Sequence, residues 1–323
     1  MNQPIMHAYQ INGDGTGTLL EGDDVSQVIR ADQLAWVHLD ATMPETREWL
    51  MREVSYLDPL VLDALLADET RPRVLEHEQG ILMILRGVNL NENSEPEDMV
   101  SIRLWADSHR IISLRRRKLK AVQDLCDRLE SGRGPKNSGE FIAGLSNALF
   151  ERMEPVFSEL DERLDDIEEK ALEHSESVER RAINKIRRQA IIFRRYVAPQ
   201  KDAMALLRNS EAEWLDVRHR RRIQEAHDRL TRYVEDLDAI RERAQIIKEE
   251  ISAALADTMN KNMYILSVIA AVFLPLGFLT GLLGINVGGI PGADYDLAFA
   301  VFCGLLAVIV LAQIVLFKFK KWF

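Results

Sequence analysis

The hydrophobic pattern changes character three times along the chain. Up to about residue 130, short apolar runs alternate with amphipathic ones. Residues 35–40 (AWVHLD), 80–90 (GILMILRGVNL) and 100–115 (VSIRLWADSHRIISLR) cluster β-branched and apolar side chains and predict strands. Residues 45–54, 58–68 and 118–130 carry helical spacing. Residues 1–130 are therefore expected to form an α+β domain with a mixed or antiparallel sheet. The Gly, Pro and Ser of residues 131–139 (SGRGPKNSG) end it.

From 140 to 208 the period is helical, in two long patterns (141–173 and 178–208) joined by the polar turn 174–177. Together they predict a helical hairpin, with Pro155 and Pro199 as kinks. A third pattern starts near Glu211 and meets no Gly or Pro before Pro275. Its stalk, 211–262, runs directly into an apolar stretch. A helix of that length reaches roughly 90 Å at ~1.5 Å per residue. Such a helix is rarely stable alone, so oligomerisation is expected.

The last sixty residues are apolar. Residues 263–287 and 297–317 carry no charge and are each long enough to cross about 30 Å of hydrocarbon. The loop between them, 288–296, contains no Lys or Arg, whereas Lys261 precedes the first span and Lys318, Lys320 and Lys321 follow the second. Basic flanks belong inside, so both termini, including the tail 318–323, are expected in the cytoplasm and the loop outside.

Composition narrows the functions. The net charge of −10 argues against nucleic acid as a partner. Cys126 and Cys303 are too far apart in sequence to suggest a disulfide framework or a thiolate zinc site. The N-terminus lacks a signal-peptide pattern, so the soluble region is expected to stay in the cytoplasm. No phosphate loop or nucleophile motif appears, so no enzyme and no resident cofactor is expected.

The long helix carries one stripe that steps by three and four: Asn260, Met263, Ser267, Ala270, Leu274, Gly277, Gly281 and Gly284. Two readings fit these small or mildly polar residues. One is close helix packing in the membrane. The other is the lining of a narrow pore, constricted at Met263 and Leu274. In the same register, at steps of seven, lie Asp228, Glu235, Glu242 and Glu249. In a symmetric bundle these become rings of carboxylates that concentrate cations. They read equally as a solvated face neutralised by Arg229, Arg232, Arg241 and Arg243. Asn286 follows the glycines at the outer end and can accept hydrogen bonds from the waters of a hydrated cation; Asp294 and Asp296 would draw cations there.

Of seven histidines, no pair has structural-zinc spacing. His219 and His227 offer a weak regulatory metal site or, more simply, surface histidines. Glu168, Glu169, Glu173, His174 and Glu176 at the hairpin tip read as a metal cluster, a seat for the basic tail, or a solvated turn. Neither span holds Asp, Glu, Lys, Arg or His, so any proton coupling is expected in the loop or the cytoplasmic stalk. A membrane-anchored sensor or scaffold with a coiled stalk is the competing class.

The run NKNMYILSVIAAVFLPLGFLTGLLGIN, with a short outer loop and a basic aromatic tail after it, resembles the membrane segment of the CorA-type divalent-metal transporters. The family's Gly-Met-Asn reads Gly284-Ile285-Asn286 here. That variant, the VGGIPG after it and the stretch DETRPRVLEHEQGILMILRGVNLN resemble the family's bacterial zinc-transporting branch. The resemblance implies a funnel-shaped homopentamer in the bacterial inner membrane, moving a divalent cation, zinc first, with magnesium, cobalt or nickel as the alternative. It implies that the first span lines the pore, that Asn286 holds the hydrated cation, and that Asn260 and Met263 mark the inner membrane face. It further places the hydrophobic constriction at Leu274 and an acidic cytoplasmic site at Glu249.

Overall fold

The computed structural model describes residues 4–31, 33–77, 80–173, 180–284, 292 and 295–319. The chain divides into two compact units, Met1–Lys248 and Glu249–Phe323.

Among the described residues the first unit has one seven-stranded sheet, built from β1 (Ile5–Ile11), β2 (Gly17–Leu19), β3 (Ala35–Asp40), β4 (Arg73–His77), β5 (Gly80–Gly87), β6 (Val100–Ala106) and β7 (Arg110–Arg115). The strand order is β2-β1-β3-β7-β6-β5-β4. Only β3 and β7 pair parallel; the other neighbours are antiparallel, so the sheet is mixed. The central strands are buried on both faces, which is why they read as unbroken apolar runs and not as alternating ones.

Helices cover both faces. On one, α1 (Asp23–Arg30), α2 (Glu45–Glu53) and α3 (Pro59–Leu66) close a core over Val37, Leu39, Ile112 and Leu114. Asp58 starts α3 by accepting the Leu60 N–H at 2.6 Å, with Pro59 in the first helical position. On the other lie α4 (Lys120–Glu130) and α5 (Ser138–Glu151), where Phe141 meets Trp36 edge-on with centroids 5.1 Å apart. α5 begins with a reciprocal cap. The Asn137 side chain accepts the Glu140 N–H at 2.8 Å, and the Glu140 carboxylate accepts the Lys136 N–H at 2.9 Å.

Three boundaries differ from the sequence expectation. The pattern 141–173 is two helices, α5 and α6 (Glu154–Glu173), with the break at Arg152 and Met153. Pro155 is the second residue of α6; it has no N–H for the carbonyl four residues back, so it starts a helix where a kink was expected. α7 (Arg180–Arg208) does contain Pro199. α8 (Val217–Gly284) starts six residues after Glu211 because the Asp216 carboxylate accepts the N–H groups of Arg218 at 2.8 Å and His219 at 2.9 Å. The turn 174–177 lies outside the described residues, with His174 and Glu176 of the expected cluster.

In the second unit, α9 (Ala298–Phe319) and the apolar part of α8 are largely exposed, with Ile251 and Phe317 buried. Val268, Ala271, Val272, Leu276 and Leu279 of α8 are partly covered, and so are Phe302, Leu306, Ile309 and Gln313 of α9. These are the mutual faces of the pair. Gln313 donates to the Ala271 carbonyl at 3.3 Å, which gives its amide a partner inside an otherwise apolar helix.

Candidate functional site

In the first unit α8 buries one seam. His219, Ile223, Ala226, Leu230, Tyr233, Leu237, Ile240, Ala244 and Ile247 follow each other by alternate fours and threes, and all are buried. This is the 3.5-residue repeat of a helix packed along its length against neighbours. Asp228, Glu235, Glu242 and Glu249 each come two residues after a seam position, on the opposite side of the helix, and all four are exposed.

Three of the four arginines expected to neutralise this acidic ladder pair with other carboxylates. Arg229 reaches Glu151 of α5 at 3.3 Å, and Arg241 pairs with Asp238 at 3.2 Å. Arg243 spans to α6, bonding Asp161 at 3.0 Å as well as Asp165 and Glu168. Those carboxylates hold the Arg243 guanidinium still more firmly protonated. Glu168 of the tip cluster thus has a partner, and that partner is a cation of α8. Among the described residues, Asp228, Glu235 and Glu242 have no ion pair to Lys or Arg. Asp228 instead accepts from Gln224 at 2.6 Å and lies 3.2 Å from His227 Nδ1.

His219 is not a surface residue. Its ring packs against Gly139 of α5, where a Cβ would fall 2.2 Å from Nδ1, and Nδ1 accepts the Asp216 N–H at 3.2 Å. The sequence hid this because the seat is made by a glycine eighty residues away. His227 stands about 12 Å further along the axis at ~1.5 Å per residue. The two rings share no partner, and among the described residues no group of three or more His, Cys, Asp or Glu converges on a metal position.

In the second unit the stripe Asn260, Met263, Ser267, Ala270, Leu274, Gly277, Gly281 and Gly284 is exposed throughout. None of it belongs to the face that meets α9. Met263 and Leu274 are 63% and 72% exposed, and a Cβ at Gly277, Gly281 or Gly284 would meet nothing within 4 Å. Ser267 donates its hydroxyl to the Met263 carbonyl at 2.8 Å, so it presents an acceptor oxygen outward. Asp296 is exposed before α9. Ile285, Asn286 and Asp294 lie outside the described residues.

The mixed sheet, the long helix with its exposed acidic and small-residue line, and the two apolar helices define a membrane protein with a large soluble unit. Residues 31–321 match the family described as CorA-like Mg2+ transporter protein. The chain is 38% identical over 321 residues to the divalent cation transporter CmaX of Pseudomonas aeruginosa, covering 98% of this chain and 96% of that one. It is 37% identical over 317 residues to the zinc transport protein ZntB of Yersinia enterocolitica, covering 98% and 95%. The solved structure of full-length CmaX matches with a TM-score of 0.88 at 37% identity, over 100% of this chain and 99% of that one. The chain belongs to the CorA-like family of metal-ion transporters.

Proposed function

We propose that the chain moves divalent cations, zinc first, across a bacterial inner membrane, through a pore lined by the 263–287 span in a homopentamer. One observation carries the pore reading: the side of α8 away from its packing seam is exposed from Asp228 to Gly284, acidic in the first unit and small or mildly polar in the second. An exposed face of this kind is available to other copies. Around an axis its carboxylates draw cations in, while Met263 and Leu274 narrow the path. The 297–317 span forms the outer support, the loop 288–296 faces out with Asn286, Asp294 and Asp296 at the mouth, and both termini lie in the cytoplasm. The zinc assignment rests on the 37% identity to a zinc transport protein over nearly the whole chain.

A second reading, a broader magnesium, cobalt or nickel channel of the same design, draws on the general name of the CmaX relative and the Mg2+ of the family description. Uptake of Zn2+, Mg2+, Co2+ and Ni2+ by the purified protein in liposomes separates the two. Zinc flux exceeding the others supports the first; equal or larger magnesium flux replaces it with the second. Asn286→Ala is expected to cut flux at least about tenfold while the protein still assembles. Full flux in that variant overturns the pore assignment.

A further inference from the structure

β5, β6 and the end of β7 set three guanidinium groups side by side. Arg86 pairs with Ser101 across β5 and β6, and Arg103 follows Ser101 by two residues, so the pleat puts Arg86 and Arg103 on one sheet face. Arg103 lies opposite Leu114 of β7, and Arg116 follows Leu114 by two residues just past the strand. These three and Arg117 line a cavity of about 380 Å³, which Tyr196 of α7 also lines.

Two of these cations are held with little or no freedom. Arg86 donates to the Thr70 carbonyl at 2.8 and 3.2 Å and to the Met99 carbonyl at 2.7 Å, and it lies 4.2 Å over the Tyr196 ring. Arg103 is 1% exposed, and its Nη2 donates to the Ala67 carbonyl at 2.8 Å. Its Nε and Nη1, and the Nε of Arg116, have no hydrogen-bond partner among the described residues. No carboxylate there pairs with Arg103 either. The acids lining the cavity are otherwise committed or exposed: Asp68 pairs with Arg116, Glu97 accepts from Gln189 at 3.0 Å, and Asp98 is exposed.

A buried guanidinium with unused donors and no counter-ion is costly. Burial first, then Arg116 and Arg86, pulls the Arg103 pKa down to about 10. An anion in the cavity would relieve both the repulsion and the empty donors. Planar nitrogen forks match tetrahedral oxyanions, and the space exceeds a lone phosphate while falling within the size of small-ligand pockets. We infer that the soluble unit binds a phosphate-class oxyanion, free or carried on a small molecule, in the cavity lined by Arg86, Arg103, Arg116 and Arg117.

Calorimetric titration of the full-length protein in detergent tests this, with inorganic phosphate, ADP and ATP as separate probes. EDTA and constant ionic strength keep metal bridging and bulk screening out of the result. Saturable binding of at least one probe is expected, weakened about tenfold or more by Arg103→Met and by Arg117→Gln. Arg117 is exposed, so its variant keeps the test open should Arg103→Met fail to fold. Similar affinities for phosphate and nucleotides identify free phosphate as the ligand; nucleotide binding at least about tenfold tighter identifies a carried phosphate group. No saturable binding of any probe, or unchanged affinity in every folded variant, overturns the inference.

Discussion

The two parts of α8 carry the same seven-residue period but complete it differently. Before Lys248, one side of the helix is buried by the chain itself, with Leu230 and Leu237 at 0% exposure, and the opposite side is acidic. Beyond Ile251 most of the helix is exposed, and bulky residues such as Phe273 and Phe278 stay 65% and 66% exposed. The first part finds its solvent and its partners within water and its own domain. The second leaves most of its apolar surface uncovered among the described residues, which suits hydrocarbon and not water around it. A single helix thus joins a self-sufficient unit to one that is completed only by its surroundings.

That contrast can be broken at its strongest point first. Leu237→Ala removes a fully buried seam residue and is expected to cost roughly 2–5 kcal/mol of first-unit stability. Urea unfolding in detergent, followed by tryptophan emission, reads it well, because Trp36, Trp49, Trp105 and Trp214 all belong to that unit. An unchanged midpoint would mean the seam is not what holds α8. Next comes Gly139→Ala, whose Cβ must displace the His219 ring; a loss of about 1–3 kcal/mol is expected in the same assay.

The buried His38 makes the first unit sensitive to acid in a third way. Its Nδ1 lies 2.8 Å from Ser113 Oγ, which also accepts from Trp36 Nε1, and burial followed by Arg115 holds its pKa well below the usual value. Folding therefore disfavours protonation. Stability is fully present above the unfolded value of about 6.5 and falls as pH drops through it, by at most ~1.4 kcal/mol per unit for one such group. His7, lowered first by burial and then by Arg115, adds to the same trend. A shift of the unfolding midpoint between pH 7.5 and 5.5 should shrink in His38→Gln; an equal shift would assign the acid sensitivity elsewhere.

The smallest stability effect belongs to the opposite face. Glu242→Gln should move stability by less than about 0.5 kcal/mol, since Glu242 is exposed and has no ion pair among the described residues. Its signature should be kinetic: slower cation flux at low salt, with the difference fading near physiological ionic strength and above. Flux unaffected at low salt would reduce the ladder to a solvated surface.

Much of this was legible in the chain. The apolar runs, the unbroken pattern to Pro275 and the seven-residue acidic spacing are local facts, and helix period alone puts such residues on one face. What could not be read was the pairing of distant residues. Glu151, Asp161, Asp165 and Glu168 take Arg229 and Arg243, two of the arginines expected to neutralise the ladder, and that choice depends on how α5 and α6 lie against α8. Arg86, Arg103 and Arg116 are apart in sequence, and only the register of β5, β6 and β7 brings them together.

The sequence by itself determined that two uncharged stretches of spanning length follow a long polar helix, because length and the absence of charge are properties of the chain alone. It also determined that one line of small and acidic residues shares a helix face from Asp228 to Gly284. Only the tertiary structure decided which way that line points relative to the packing seam. Burial is a property of contacts, and the side the first unit covers is the side that leaves the acidic line exposed.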